Sequence, residues 1–306
     1  MQLKMLIIVP LAVITGAVIG AFVYLDSLQP IRNGELSLSN LSAPVSVRYD
    51  ERGVPHLEAQ NQLDLYRALG YVHAQDRLFQ MEMLRRLARG ELAEVLGESL
   101  VETDRLFRTL RIRDRATSFI AEQDKQSAAW LALQAYLDGI NQFQDSRPAP
   151  LEFDILGIPK RPFTAEDTAS VAGYLAYSFA AAFRTEPTLT YVRDQLGADY
   201  LQIFDLDWHP EGVDHAPALA DSDWRDLGRI ARLSQQALQA AGLPQYEGSN
   251  AWVISGRHTR SGKPLLAGDP HISFAVPSVW YEAHLRAPGF ELYGHHQALN
   301  PFAMLG

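Results

Sequence analysis

The segment from Met5 to Leu25 restricts the folding of this chain more than any other feature. Its 21 residues, MLIIVPLAVITGAVIGAFVYL, carry no charge, and roughly 20 such residues cross a bilayer as a helix. A buried core helix is a poor explanation at the extreme N-terminus, and no small-residue cleavage site follows Leu25. We therefore predict an uncleaved signal anchor at residues 1–25, held in the inner membrane, with the rest of the chain in the periplasm. A cleaved signal peptide is the alternative.

The remaining composition is that of a globular protein. Of 306 residues, 47% are hydrophobic and 21% are charged, with a net charge of −9, which excludes disordered and collagen-like classes. A negative surface is a poor match for a phosphate backbone, so we expect no nucleic-acid partner. The chain has no cysteine, which excludes a disulfide framework, a thiolate metal site and a catalytic cysteine.

The pattern changes from helical to β-rich at about residue 242. After a polar linker at 26–43, alternating residues around Gly53 predict a β-hairpin at 45–59. Apolar spacings of three or four predict helices at 62–96, at 127–143, from 165 until Pro187 interrupts it, and at 225–241. Strands are predicted at 250–255 and 264–268. These patterns divide the chain after the linker into a mostly helical region at 44–241, a cleavage loop at 242–248 and a β-rich region at 249–306.

A candidate nucleophile stands where the loop meets the first of these strands. Gly248, Ser249 and Asn250 are all turn residues, so a plain turn is the simpler interpretation. Glu247 and Ala251 occupy the places where a G-x-S-x-G nucleophile elbow needs glycine. If the bond before Ser249 is cut, however, its α-amine can serve as base for its own hydroxyl. Gly248 gives that bond room to strain, and the hydroxyl could then cut the chain without a protease.

Further candidates surround this serine. His271 follows Asp-Pro and is by default a turn residue, but it could orient the Ser249 amine or relay its proton. Asn250 is expected to hold the site in place. Phe179 and Phe183 lie four residues apart in an apolar helix, which indicates core packing or, alternatively, a hydrophobic acyl pocket.

These motifs together resemble the penicillin acylase family of N-terminal-nucleophile hydrolases, which includes cephalosporin and acyl-homoserine-lactone acylases. The resemblance rests on GSNAWVI from Gly248, GKPLLAGDPH ending at His271, GYVHAQDRLFQME from Gly70 and YDERGVPH from Tyr49. It covers nearly all of residues 44–306.

The resemblance implies an α+β protein with a four-layer αββα sandwich, incomplete here, in which a helical small subunit precedes a large subunit starting at Ser249. It implies a precursor that cleaves itself before Ser249 and then hydrolyses N-acyl amides through an acyl-enzyme on the Ser249 hydroxyl, with His271 as a helper. No cofactor is required for that chemistry. The family's acyl-pocket positions fall on Phe179, Phe183, Ile272 and Leu305, and the last two favour aliphatic acyl chains. Members often bind a structural calcium ion, for which Glu186 is the nearest candidate.

The family's oxyanion-hole donors fall after Gly306. We therefore expect the partner of this chain to be its own large-subunit remainder, and the 306 residues alone to be inactive. Two rivals stay open: a non-catalytic scaffold or binding member of the same fold tethered to the membrane, and an interaction protein in which Gly248-Ser249 is only a turn. Neither rival would cleave itself.

Overall fold

The computed structural model describes residues 2–180, 182–204, 221–240 and 246–306. The α-helices are α1 Gln2–Ser27, α2 Gln62–Arg89, α3 Ala93–Leu96, α4 Val101–Thr109, α5 Ile112–Ala121, α6 Ala128–Ser146, α7 Leu151–Leu156, α8 Ala165–Phe179, α9 Ala182–Tyr191 and α10 Asp221–Ala240. Short 3₁₀ or π turns lie at Glu98–Leu100, Val192–Leu196, Ala198–Phe204 and Gly256–His258. The strands are β1 Ser46–Tyr49, β2 Pro55–Glu58, β3 Tyr246–Ile254, β4 Leu265–Ile272, β5 Trp280–Ala287 and β6 Phe290–Gln297. The predicted α+β class is confirmed.

The apolar N-terminal segment forms α1, which contains all of Met5–Leu25. The side chains of residues 1–12 lie outside the described part of the chain. Among the residues that the structure does describe, no helix is long and apolar enough to cross a membrane. The anchor and the periplasmic location stay predictions.

The chain divides into two compact units. The first comprises Met1–Glu82, Glu122–Ala165 and Trp280–Gly306, and the second comprises Met83–Ala121 and Glu166–Val279. The four-stranded sheet belongs to the first unit, and the pair β3–β4, which carries Ser249, belongs to the second.

The four-stranded sheet of the first unit has the order β1-β2-β5-β6. The predicted hairpin is confirmed as the antiparallel pair β1–β2, closed by Gly53 at a φ of 78°. Strand β2 then runs parallel to β5, and β5 runs antiparallel to β6. On β5, Tyr281, Ala283 and Leu285 point into the core. The alternation of side chains along a strand therefore puts His284 on the outer face.

Two glycines let helices α2 and α6 cross at backbone contact in the first unit. A Cβ added at Gly70 would lie 1.9 Å from the Tyr136 carbonyl oxygen, and one at Gly139 would lie 1.9 Å from the Arg67 carbonyl oxygen. Any larger residue at either position would force the helices apart. The apolar stripe predicted for this region is buried, with Leu65, Leu69 and Leu78 among its members.

Helix α2 ends earlier than the predicted residue 96. Gly90 adopts a φ of 66°, a left-handed conformation that ends the helix. The carboxylate of Asp104 then accepts hydrogen bonds from the backbone N–H groups of Leu92 and Ala93, at 2.8 Å each, where α3 begins. At this helix end, Arg89 is paired with two carboxylates, Glu91 at 3.0 Å and Asp167 at 2.9 Å.

Two boundaries in the second unit differ from the sequence-based expectation. The helix that starts at residue 165 already ends at Phe179, and Pro187 lies inside the next helix rather than interrupting the first. Strand β3 begins at Tyr246, so the end of the expected cleavage loop is strand. The reason is pairing, because Tyr246 and Gly248 already face Ile272 and His271 on β4.

Candidate active site

The candidate nucleophile lies near the start of a two-stranded antiparallel ribbon. In the register of β3 with β4, Gly248 faces His271, Ser249 faces Pro270 and Asn250 faces Asp269. Proline has no N–H and cannot donate a ladder hydrogen bond. Opposite Ser249, strand β4 therefore offers no backbone N–H.

The Ser249 side chain contacts the peptide group that precedes it. Its Oγ donates a hydrogen bond of 2.6 Å to the carbonyl oxygen of Gly248. Both residues are exposed. The hydroxyl thus lies against the carbonyl group of the bond that the sequence analysis expects to break, and the hydrogen bond polarises that carbonyl.

His271 is oriented by a carboxylate. Its Nε2 lies 3.0 Å from Oδ2 of Asp269 and 3.3 Å from Nδ2 of Asn250. A carboxylate only accepts, so the shorter contact, with Asp269, requires the ring proton on Nε2, where the Asn250 NH2 then finds no lone pair; Nδ1 is the acceptor in this tautomer. A methyl group built on Gly248 would lie 3.8 Å from that Nδ1. This nitrogen therefore lies on the side of Gly248 that a side chain would occupy.

Asp269 is the site residue that sequence reasoning missed. It stands in the quoted motif beside His271, but the motif alone gives it no role. Residues two apart on a strand point to the same face, so an Asp two positions before a His on β4 is the signal that could have identified the pair. Asn250 lies directly opposite Asp269 in the register, and its role in holding the site stays a prediction.

The ribbon around this cluster is open to solvent in the described residues. The side chains of Trp252, Val253 and Leu266 are 55%, 75% and 69% exposed. Apolar groups on both faces of a β-ribbon normally pack against another layer, because each square ångström left in water costs about 25 cal/mol. The described site therefore has its reactive groups but no enclosing walls.

The expected acyl-pocket residues are distributed over both units. Phe179 is half exposed at the end of α8, and Ile272 ends β4, both in the second unit. Leu305 belongs to the first unit, where its carbonyl accepts a hydrogen bond from the His295 N–H. The side chain of Phe183 lies outside the described residues. The acyl pocket stays a prediction.

The calcium expectation finds no support at Glu186. Calcium takes six to eight oxygen ligands, whereas Glu186 is exposed and acts electrostatically on Arg193, whose guanidinium pairs with Asp194. Within the described ranges, no group of three or more His, Cys, Asp or Glu residues is arranged to hold a metal ion. The described residues thus do not supply a calcium site there.

Comparison with known proteins shows to which family the chain belongs. The family model for penicillin amidase matches residues 44–306, the same range over which the motifs resemble that family. The chain belongs to the penicillin amidase family. Among its relatives, penicillin acylase 2 proenzyme from Pseudomonas sp. strain SE83 is 33% identical over 290 residues, which cover 88% of this chain and 35% of the relative.

Another relative broadens the range of named activities. The acyl-homoserine lactone acylase QuiP from Pseudomonas aeruginosa is 32% identical over 290 residues, covering 92% of this chain and 34% of QuiP. A solved structure, thermostable penicillin G acylase from Alcaligenes faecalis, shares 28% identity at a TM-score of 0.45 and covers 58% of this chain and 98% of that one. The chain spans about a third of the length of the curated relatives it matches.

Proposed function

We propose that the complete protein is a self-processing amidohydrolase that cleaves N-acyl amides through an acyl-enzyme on Ser249. The observation that carries the proposal is the 2.6 Å contact between Ser249 Oγ and the Gly248 carbonyl oxygen. It occurs at the expected scissile bond, beside a carboxylate-oriented His271, in a member of an acylase family.

The first step of the proposed chemistry is self-cleavage. Ser249 Oγ attacks the Gly248 carbonyl carbon and loses its proton, while the bond from that carbon to the Ser249 nitrogen breaks and the nitrogen gains a proton. The product is an ester between Gly248 and the Ser249 hydroxyl, which water then hydrolyses. Gly248 leaves as a carboxylate, and Ser249 keeps a free α-amine. His271 lies opposite Gly248 on β4 and would relay the proton.

The second step is acyl transfer from substrate. The Ser249 hydroxyl attacks the substrate amide carbonyl, and the α-amine of Ser249 accepts the hydroxyl proton. The proton passes to the leaving amine, the acyl group stays on the oxygen as an ester, and water releases it as a carboxylic acid. His271, oriented by Asp269, would hold the α-amine in position for both proton transfers.

The relatives support an acylase rather than a non-catalytic scaffold. The chain belongs to the penicillin amidase family, and both Pseudomonas relatives are named acylases. The penicillin acylase 2 relative is also named a proenzyme. We propose N-acyl amides as the substrate class, the large-subunit remainder as partner, and a periplasmic location through the uncharged segment Met5–Leu25. The aliphatic Ile272 and Leu305 favour aliphatic acyl groups over aromatic ones.

Self-cleavage is tested on the complete reading frame that contains this chain. Wild type, Ser249→Ala and Ser255→Ala are expressed in parallel, and intact masses and N-terminal sequences are determined. Ser255, just after the same strand, is the matched control. We expect a polypeptide beginning Ser-Asn-Ala-Trp in wild type and Ser255→Ala, and a single uncut chain for Ser249→Ala. An uncut but folded wild type would refute the proposal, as would normal cleavage of Ser249→Ala.

Two further experiments distinguish self-cleavage from cleavage by another protease. Hydroxylamine attacks esters far faster than amides, so it should speed the release of the new N-terminus if the Gly248 ester forms. His271→Gln should slow processing without abolishing it, because the hydroxyl stays in place.

Acylase activity is then assayed by the primary amine released from hexanoyl- and decanoyl-homoserine lactone and from penicillin G. Rapid processing without release from any N-acyl substrate would leave self-cleavage standing and refute the amidase assignment.

A further inference from the structure

We propose that the outer face of the four-stranded sheet carries a bis-histidine site for a divalent transition-metal ion, held by Nδ1 of His56 and Nδ1 of His284. His56 on β2 and His284 on β5 face each other directly in the parallel register of those strands. Their Nδ1 atoms are 3.0 Å apart, and the rings meet edge to face. The site lies in the first unit, whereas Ser249 belongs to the second.

The positions of the ring protons make this pair a metal ligand set. Nε2 of His284 lies 3.1 Å from Oε1 of Glu291, and Nε2 of His56 lies 3.5 Å from Oδ2 of Asp50. Because a carboxylate only accepts, each neutral ring keeps its proton on Nε2. The two Nδ1 lone pairs then lie 3.0 Å apart and repel, unless a cation binds both of them.

A carboxylate behind each imidazole is also the arrangement found around metal-bound histidines. The carboxylate fixes the tautomer and the ring orientation, and it makes the opposite nitrogen a better ligand. The pair therefore presents two donors whose tautomers are already those of metal ligands.

The separation of the nitrogens selects the type of ion. Bonds of 2.0–2.1 Å to two nitrogens 3.0 Å apart enclose an angle of about 94° at the metal. This is close to the angle between neighbouring ligands in square-planar or octahedral complexes, the geometries of Cu²⁺ and Ni²⁺. A tetrahedral Zn²⁺ would need the nitrogens about 0.3 Å further apart. Imidazole nitrogen is also a poor ligand for Mg²⁺ and Ca²⁺, which take oxygen.

The surroundings leave room for water as the remaining ligands. The side chains of His56 and His284 are 31% and 18% exposed, and the Tyr293 ring flanks both imidazoles, at 6.2 and 5.4 Å. The carboxylates of Asp50 and Glu291 offset the charge of a bound cation. Two arginines oppose that charge: Arg48, which faces His56 from β1, and Arg286, whose Nε lies 3.6 Å from the same Glu291 oxygen. With two protein ligands, the ion should exchange freely with solution.

Binding is tested by titrating the tag-free chain with CuCl₂ and NiCl₂ in a calorimeter, with MgCl₂ as a negative control. All proteins carry Ser249→Ala, so that no new N-terminal amine can bind copper. We expect tighter binding of Cu²⁺ than of Ni²⁺, following the usual order of stability. His56→Gln and His284→Gln should each lower the affinity more than tenfold, and the exposed control His258→Gln should leave it unchanged. Glu291→Gln, which removes only the carboxylate behind the ring, should weaken binding by about 10-fold or more.

The copper signal of the parent protein provides a test that needs no histidine variant. Pulsed electron paramagnetic resonance counts the imidazoles bound to Cu²⁺ and should find two. Three results would each overturn the proposal. They are a single bound imidazole, no binding at micromolar protein concentration, and copper affinities of His56→Gln and His284→Gln that equal the affinity of the parent. In the case of no binding, a proton shared between the two Nδ1 atoms would account for their 3.0 Å separation.

Discussion

Mild acid should destabilise this protein through His296, a histidine buried in the first unit. Its side chain is fully buried, and that burial lowers its pKa from 6.5 to about 4. The charged form loses its hydration in the core, so the folded state takes up a proton less readily than the unfolded state. Above pH 6.5 the histidine is neutral in both states. As the pH falls below 6.5, the unfolded state binds the proton first, and the free energy of unfolding decreases.

The size of the loss follows from the two pKa values. With about 4 in the folded state and 6.5 in the unfolded state, the free energy of unfolding should fall by about 2 kcal/mol between pH 7.5 and pH 5. It should level off at about 3 kcal/mol below pH 4, where both states bind the proton. Burial also lowers the pKa of His73, whose charge interacts with that of His296, so its contribution has the same sign.

The assay compares urea unfolding of wild type and His296→Gln at pH 7.5 and pH 5, followed by tryptophan fluorescence. Glutamine is polar but does not titrate, so the variant should lose about 2 kcal/mol less on acidification than wild type does. Any general destabilisation by the substitution cancels in this difference. Equal losses in the two proteins would show that His296 does not resist protonation in the folded state, and would refute the argument.

Four further substitutions test the packing by urea unfolding at pH 7.5. Gly139→Ala should lower the free energy of unfolding by about 3 kcal/mol, because the new Cβ would lie 1.9 Å from a backbone oxygen of α2. Gly228→Ala on α10, where the nearest atom is 3.6 Å away, should leave it unchanged or raise it by up to about 1 kcal/mol. Ser127→Ala should cost about 1 kcal/mol, because its hydroxyl caps α6 by accepting from Trp130 N–H. Asp167→Ala should cost about 3 kcal/mol, because it leaves the buried Arg85 without this carboxylate. An unchanged midpoint for Gly139→Ala, Ser127→Ala or Asp167→Ala would contradict the corresponding expectation, as would a lowered midpoint for Gly228→Ala.

Local patterns in the sequence account for much of the fold. Apolar residues at spacings of three or four mark α2, α6 and α10, because a helix brings such residues to one face. Gly53 between two alternating runs marks the β1–β2 hairpin, since a left-handed turn residue there is close to obligatory for a tight loop. The family resemblance likewise depends on contiguous motifs, which the sequence displays directly.

Contacts between residues distant in the chain could not be derived in this way. The Gly70 and Gly139 crossing needs two helices whose glycines are 69 residues apart, and nothing local states that they meet. The facing pair of His56 and His284 depends on a parallel register between strands that are separated by most of the chain. The register of two strands is decided by the packing of the whole sheet rather than by either strand alone.

The candidate active site shows the same division. The sequence predicts Gly248 and Ser249 as the centre of the chemistry, because an N-terminal nucleophile needs a small residue before a hydroxyl, and the family resemblance adds His271. Only the tertiary structure decided that Ser249 Oγ contacts the Gly248 carbonyl and that Asp269 orients His271. Those contacts arise from the pairing of β3 with β4, a geometric relation between two segments that neither segment contains by itself.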